Sequence, residues 1–155
     1  MNIEQDRYWL VARNKSALLT HMMRLLAGDA QISFEGDLSR CSFPDSVPRL
    51  PEESAVLRRC TVWPIQDFAV LQLEHQTIQP ILDAVLPDAR FTEDIIHIQI
   101  AQHGELQFGS YDQFDQRCIV CFLGVPTKIL DDLKHRGVII SWTTPSAGAL
   151  RGGHG

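Results

Sequence analysis

The chain has 155 residues, 45% apolar and 21% charged, with 14 basic against 19 acidic side chains and a formal net charge of −5. That balance suits a folded domain with a sizeable core and excludes an intrinsically disordered chain. No basic run exceeds the pair Arg58-Arg59, which argues against a nucleic-acid partner, and no apolar stretch reaches the roughly 18–20 residues that cross a bilayer.

The opening "MNIEQDRYWLV" lacks a basic region followed by an apolar one, so no signal peptide is expected. Four cysteines are too few for a disulfide framework. Together these features predict a cytoplasmic protein with reduced thiols and no membrane association.

"RYWLVAR" (7–13) reads as a buried strand. Asn14 or Ser16 can cap the following helix, "KSALLTHMMRLLAG", whose leucines and methionines recur at helical spacing and which Gly28 can end. "AQISFEGDLSRCSF" (30–43) predicts two short strands around a turn at Glu35-Gly36-Asp37, with the two acids explained by turn chemistry. "PDSVPRLP" (44–51) holds three prolines and is a connection. "AVLRRCTVW" (55–63) predicts another strand, with Arg58 and Cys60 on one face and Arg59 and Trp63 on the other. Trp9, Trp63 and Trp142 all fall in predicted strands and are read as packing residues.

"DFAVLQLE" is a strand, and "TIQPILDAVLP" a helix with Pro80 in its first turn. "EDIIHIQIAQ" and "ELQFGSYD" predict a hairpin, "RCIVCFLG" a strand, "VPTKILDDLKHRG" an amphipathic helix ended by Gly137, and "VIISWTT" a closing strand. Helices scattered among hairpins predict an α+β fold: a largely antiparallel sheet with about three helices packed on one face. Strand–helix–strand–strand is expected at 8–43 and again at 68–111, so the chain could hold two similar halves. Residues 1–144 are expected to form one globular domain, with subdomains at 7–43 and 55–144 joined by 44–51 as a variant, and 145–155 a flexible tail.

Cys118-x-x-Cys121 looks like a redox or zinc motif. Its β-branched, apolar setting predicts a strand, in which residues three apart point to opposite faces about 10 Å apart. A disulfide or a shared ion needs much closer sulfurs, and a redox pair normally opens a helix. The two thiols are therefore read as small core side chains, and no metal or cofactor is expected. Phosphate-binding glycine loops, nucleophile elbows and zinc-protease helices are absent from the sequence.

In the hairpin at 94–112, a two-residue turn would oppose Leu106 to Ala101 and Phe108 to Gln99, splitting the apolar residues between faces. A three-residue loop at His103-Gly104-Glu105 pairs Ile100 with Phe108 and brings Ile96, Ile98, Ile100, Leu106 and Phe108 to the core together. The other face, carrying His97, Gln99, Gln107, Gly109 and Tyr111, is expected to be solvated. Next to it "YDQFDQ" presents Asp112 and Asp115 around Phe114. The leading functional expectation is a non-catalytic module of inhibitor, adaptor or immunity type, binding a protein through Tyr111, Asp112, Phe114 and Asp115. The alternative is a small-ligand protein or enzyme using His97, Tyr111 and Asp112 for acid–base chemistry.

Overall fold

The computed structural model describes residues 7–86 and 94–144. Residues 1–6, the expected element ends at Pro87 and Glu93, and the expected tail at 145–155 lie outside the described residues. Strand β1 (Arg7–Ala12) leads into helix α1 (Lys15–Leu26), then β2 (Ala30–Gly36), β3 (Asp67–Leu73), α2 (Ile78–Val85), β4 (Ile95–Gln102), β5 (Glu105–Ser110), β6 (Ile119–Phe122), α3 (Thr127–His135) and β7 (Ile139–Thr143). The strands form one antiparallel sheet in the order β3-β2-β4-β5-β6-β1-β7. Strands from before and after the proline-rich connection thus interleave. No described helix is long and apolar enough to cross a membrane.

Helix α1 begins where the Asn14 carboxamide accepts the Ala17 N–H at 3.0 Å, satisfying one orphan donor of the first turn. Leu18, Leu19, Met22, Met23 and Leu26 are buried at helical spacing. They meet Ile78, Ile81, Leu82 and Val85 of α2, Leu130 and Leu133 of α3, and the inward row Leu10, Ile32, Phe34, Leu71, Ile98, Ile100, Phe108, Ile119 and Cys121 of the sheet. Each fully buried side chain of this size contributes about 1.5–3 kcal/mol relative to exposure. The three helices α1, α2 and α3 therefore lie on one face. In β1 only Leu10 is buried, so that strand is covered less than its composition predicts.

The hairpin expected at 30–43 does not form. Glu35 and Gly36 stay in β2, and Gly36, at φ +151°, makes a bulge against β4 instead of a turn. A Cβ there would lie 2.3 Å from the Asp94 carbonyl oxygen, so only glycine permits the approach. The bulge also sends Ile95 to the core and leaves Ile96 half-buried, the reverse of the expected parity. Without a strand at 38–43, the strand–helix–strand–strand order does not recur at 8–43.

Residues 55–63 form no strand either. They cross the sheet face opposite the helices, where Leu57 packs with Phe68, Val70 and Ala101. The proline-rich segment ahead of them guards the β3 edge: Leu50 N–H donates to Val70 O and Gln72 N–H to Pro48 O, both at 2.9 Å.

The β4–β5 hairpin combines both registers considered from sequence. Ala101 opposes Leu106 and Gln102 opposes Glu105 around a two-residue turn, His103 (φ 54°) and Gly104 (φ 78°). A bulge then restores Ile100 opposite Phe108 and Gln99 opposite Gly109. Leu106 consequently packs with the Leu57 cluster instead of the main core. The tight turn matches the strand twist, and the extra residue reconciles it with the core's parity.

Candidate functional site

The face expected to be wet is roofed by residues 55–61. Glu35, His97 and Gln99 are buried, at 1%, 7% and 6% exposure. Glu35 and His97 are register partners across β2 and β4, as are Ser33 and Gln99. Each Glu35 oxygen accepts a backbone donor: Oε1 takes the Cys60 N–H at 2.7 Å and Oε2 the Thr61 N–H at 3.1 Å. A buried carboxylate is costly unless hydrogen-bonded, and here both oxygens are served. Those two donors are the groups a strand at 55–63 would have placed in a ladder.

His97 is held at both ring nitrogens. The Asp112 N–H donates to Nδ1 at 3.3 Å, and Nε2 lies 2.8 Å from Thr61 Oγ1. Because Nδ1 accepts, Nε2 carries the proton and donates to the threonine hydroxyl, an assignment inferred from the network. Gln99 Nε2 donates to the Tyr111 hydroxyl at 3.1 Å and to Cys60 Sγ at 3.4 Å, while its Oε1 accepts from Ser33 Oγ at 3.5 Å. Tyr111 folds back over Gly109, where a Cβ would stand 2.5 Å from the phenol oxygen. Its ring lies 5.7 Å from the His97 ring. The structure brings His97 and Tyr111 together, adds the Thr61 hydroxyl that the sequence did not suggest, and lets Asp112 reach the imidazole through its backbone N–H, with these polar atoms already engaged.

Burial, with the Glu35 and Asp112 carboxylates adding to it, pushes the Cys60 thiol up to about 11. Burial likewise raises the Tyr111 phenol, against the opposing Gln99 hydrogen bond. A raised thiol value leaves less thiolate at a given pH, even though Cys60 is itself exposed. Cys60 is therefore expected to react with iodoacetamide far more slowly in the folded than in the urea-unfolded chain, which site-resolved mass spectrometry reads directly. A raised folded value contributes stability below the thiol's unfolded value that is lost as pH rises through the folded one. Stability should accordingly fall between about pH 9 and 11, with a shallower fall in Cys60→Ser.

The acidic turn differs from its expected form. Asp112, Gln113 and Phe114 follow one another in the left-handed region, at φ 52°, 59° and 61°. That path directs Phe114 into the main core, at 5% exposure. It is anchored by Gln113 N–H to Ile96 O at 2.8 Å and Tyr111 N–H to Cys118 O at 3.0 Å. Asp115 Oδ1 accepts the Arg117 N–H at 2.8 Å, which holds its carboxyl below the ordinary carboxylate value. Of the four residues expected to meet a partner, only Asp112 is exposed; Tyr111 and Asp115 are half-buried and Phe114 is core.

Cys118 stands just before β6, with Sγ 3.7 Å from Asp112 Oδ2, while Cys121 is buried in the main core. Only Cys121 is the core side chain expected of both: Cys118 lies outside the strand and is half-buried, so strand alternation does not apply to it.

Sequence reasoning missed the most exposed apolar group of the described residues. Val62, Trp63 and Ile65 are 90%, 82% and 69% exposed. Reading 55–63 as a strand assigned Trp63 to packing. The available signal was Pro64, which cannot donate to a ladder directly after the tryptophan. The loop's root, Cys60-Thr61, is the same dipeptide that Glu35 and His97 grip, so the buried polar cluster is a mount for an apolar tip. Trp9, 37% exposed, lies on the same side of the sheet, in the row that runs Ser33, Gln99, Gly109, Val120, Trp9 across β2, β4, β5, β6 and β1. No protein-family model, no curated protein and no solved structure matches the chain.

Proposed function

We propose that this protein is a non-catalytic module that binds a protein partner through Val62, Trp63 and Ile65, flanked by the acidic turn at 112–115. The observation that carries the reading is the mount. One imidazole joins the two features, since His97 bonds Thr61 at the root of the loop and Asp112 in the turn. A rigidly held aromatic tip loses little conformational freedom on binding, and aromatic anchors dominate interface energies. Asp112 and Asp115 beside it, on a chain of net charge −5, favour a partner with an apolar pocket and a basic rim.

Catalysis is the weaker reading of the same residues. The Cys60 thiol is held protonated at neutral pH, and His97 and Tyr111 spend their polar atoms on internal bonds. The four free thiols suit a reducing compartment such as the cytoplasm.

The test uses the full chain as bait in extract from its native host, beside Trp63→Ala. Because Trp63 is so exposed, its truncation should change stability by no more than about 0.5 kcal/mol. One stoichiometric protein retained by the wild type and lost by Trp63→Ala is the expected result. Equal capture by both baits, or recovery of a small molecule and no protein, would overturn the reading.

A further inference from the structure

We infer that the cleft between the 44–66 segment and the start of β3 binds a small monocarboxylate with an aromatic or branched aliphatic body. The cleft encloses about 410 Å³, within the range of small-ligand sites. Phe43, Ile65 and Phe68 give it apolar walls, and Arg49 and Arg59 bring two guanidinium groups to it. Two positive groups over an aromatic wall suit an anion with an apolar body, since guanidinium pairs with carboxylate in a planar fork.

The state of the two arginines sharpens this. Arg59 lies over the Phe68 ring, 5.3 Å from its centroid, and its Nε is shielded from solvent with no acceptor. Its terminal nitrogen pairs with Glu52, whose side chain is 62% exposed. The Arg59 end of this pair is largely covered but the Glu52 end is exposed, so a ligand carboxylate can take the place of Glu52 on this guanidinium while Glu52 returns to solvent. The Arg49 side chain makes no hydrogen bond or ion pair among the described residues. The wall also sets an upper limit on ligand charge. Glu52 and Asp67 both line it, and Asp67 is fixed by accepting the Leu38 N–H at 3.0 Å. Arg49 and Arg59 against Glu52 and Asp67 leave the wall neutral overall, so one added negative charge at the guanidinium groups costs less repulsion from the two carboxylates than the two charges of a phosphate monoester would.

The probe is 3-phenylpropionate, titrated into ¹⁵N-labelled full-length protein, with its neutral isostere 3-phenylpropanamide as the control. Saturable shifts of the Arg59 Nε–H and the Phe68 backbone N–H are expected. Arg49→Gln should weaken binding about fivefold by removing one charge, and Glu52→Gln should tighten it about threefold by removing the competing carboxylate. Both positions are exposed, so neither change should disturb the fold. The amide should bind at least about tenfold more weakly than the acid. Equal binding of acid and amide, indifference to both substitutions, or no saturable shift by about 10 mM ligand would overturn the proposal. Ile65 borders both sites, but neither Arg49 nor Glu52 belongs to the 62–65 loop and Trp63 does not line the cleft, so failure here leaves the protein-partner reading standing, and the reverse also holds.

Discussion

Truncating Phe114 to alanine is expected to lower the unfolding free energy by about 3–5 kcal/mol, the usual cost of removing a buried phenyl ring. The composition of "YDQFD" suggests the opposite, an exposed anchor whose loss would spare the fold. The decision rests on backbone conformation. A non-glycine residue in the left-handed region costs about 1–2 kcal/mol, and here three occupy it in succession. Such a path persists only when its surroundings over-determine it. Burial of the Phe114 ring and the hydrogen bonds from Gln113 N–H to Ile96 O and Cys118 N–H to Asp115 O supply that constraint. Alanine keeps the backbone cost and loses the burial, so the two effects do not offset one another. Urea unfolding of Phe114→Ala beside Phe114→Leu measures the difference. The leucine variant should retain well over half of the lost stability, and a Phe114→Ala midpoint equal to the wild type would place the ring outside the core.

Local signals carried the elements that depend on local chemistry. Asn14 and Gly28 bracket α1, Pro80 sits in the first turn of α2, and the apolar run after Cys118 forms β6 with Cys121 in the core. Even the hairpin register was legible beyond the bulge, because Ile98, Ile100 and Phe108 had to share a face. What failed were decisions made at a distance. Gly36 reads as a turn glycine until Asp94, far along the chain, comes too close for a side chain. Residues 55–63 alternate like a strand, yet their donors are taken by a carboxylate 25 and 26 residues upstream. Glu35 beside a glycine looks like turn chemistry and is in fact among the most buried polar residues. The candidate site followed the same division. His97 and Tyr111 were placed together from parity alone, while the 62–65 loop depended on a roof that no local pattern announces.

Replacing Glu35 by alanine is expected to cost about 2–4 kcal/mol and to free the loop it mounts. Two effects oppose each other. Removing a carboxylate that has no cationic partner among the described residues relieves its desolvation, while the Cys60 and Thr61 N–H groups lose their acceptors. Each bond to the charged group contributes about 1.5–3 kcal/mol, and there are two, so the loss outweighs the relief. Glu35→Gln separates charge from geometry. The amide keeps one acceptor oxygen but turns an N–H₂ toward a backbone donor, so a smaller loss of about 1–2 kcal/mol is expected. Hydrogen exchange gives the readout that links mount to function. In Glu35→Gln the amides of Cys60, Thr61 and Val62 should exchange faster, while those of β5 and β6 stay protected. Partner capture should fall in the same variant although no atom of the Val62–Ile65 surface has changed, because a loosened loop must be ordered again on binding. Unaltered exchange at 60–62 in both variants would mean that the loop holds its shape without Glu35, and the buried polar cluster would then have no part in presenting it.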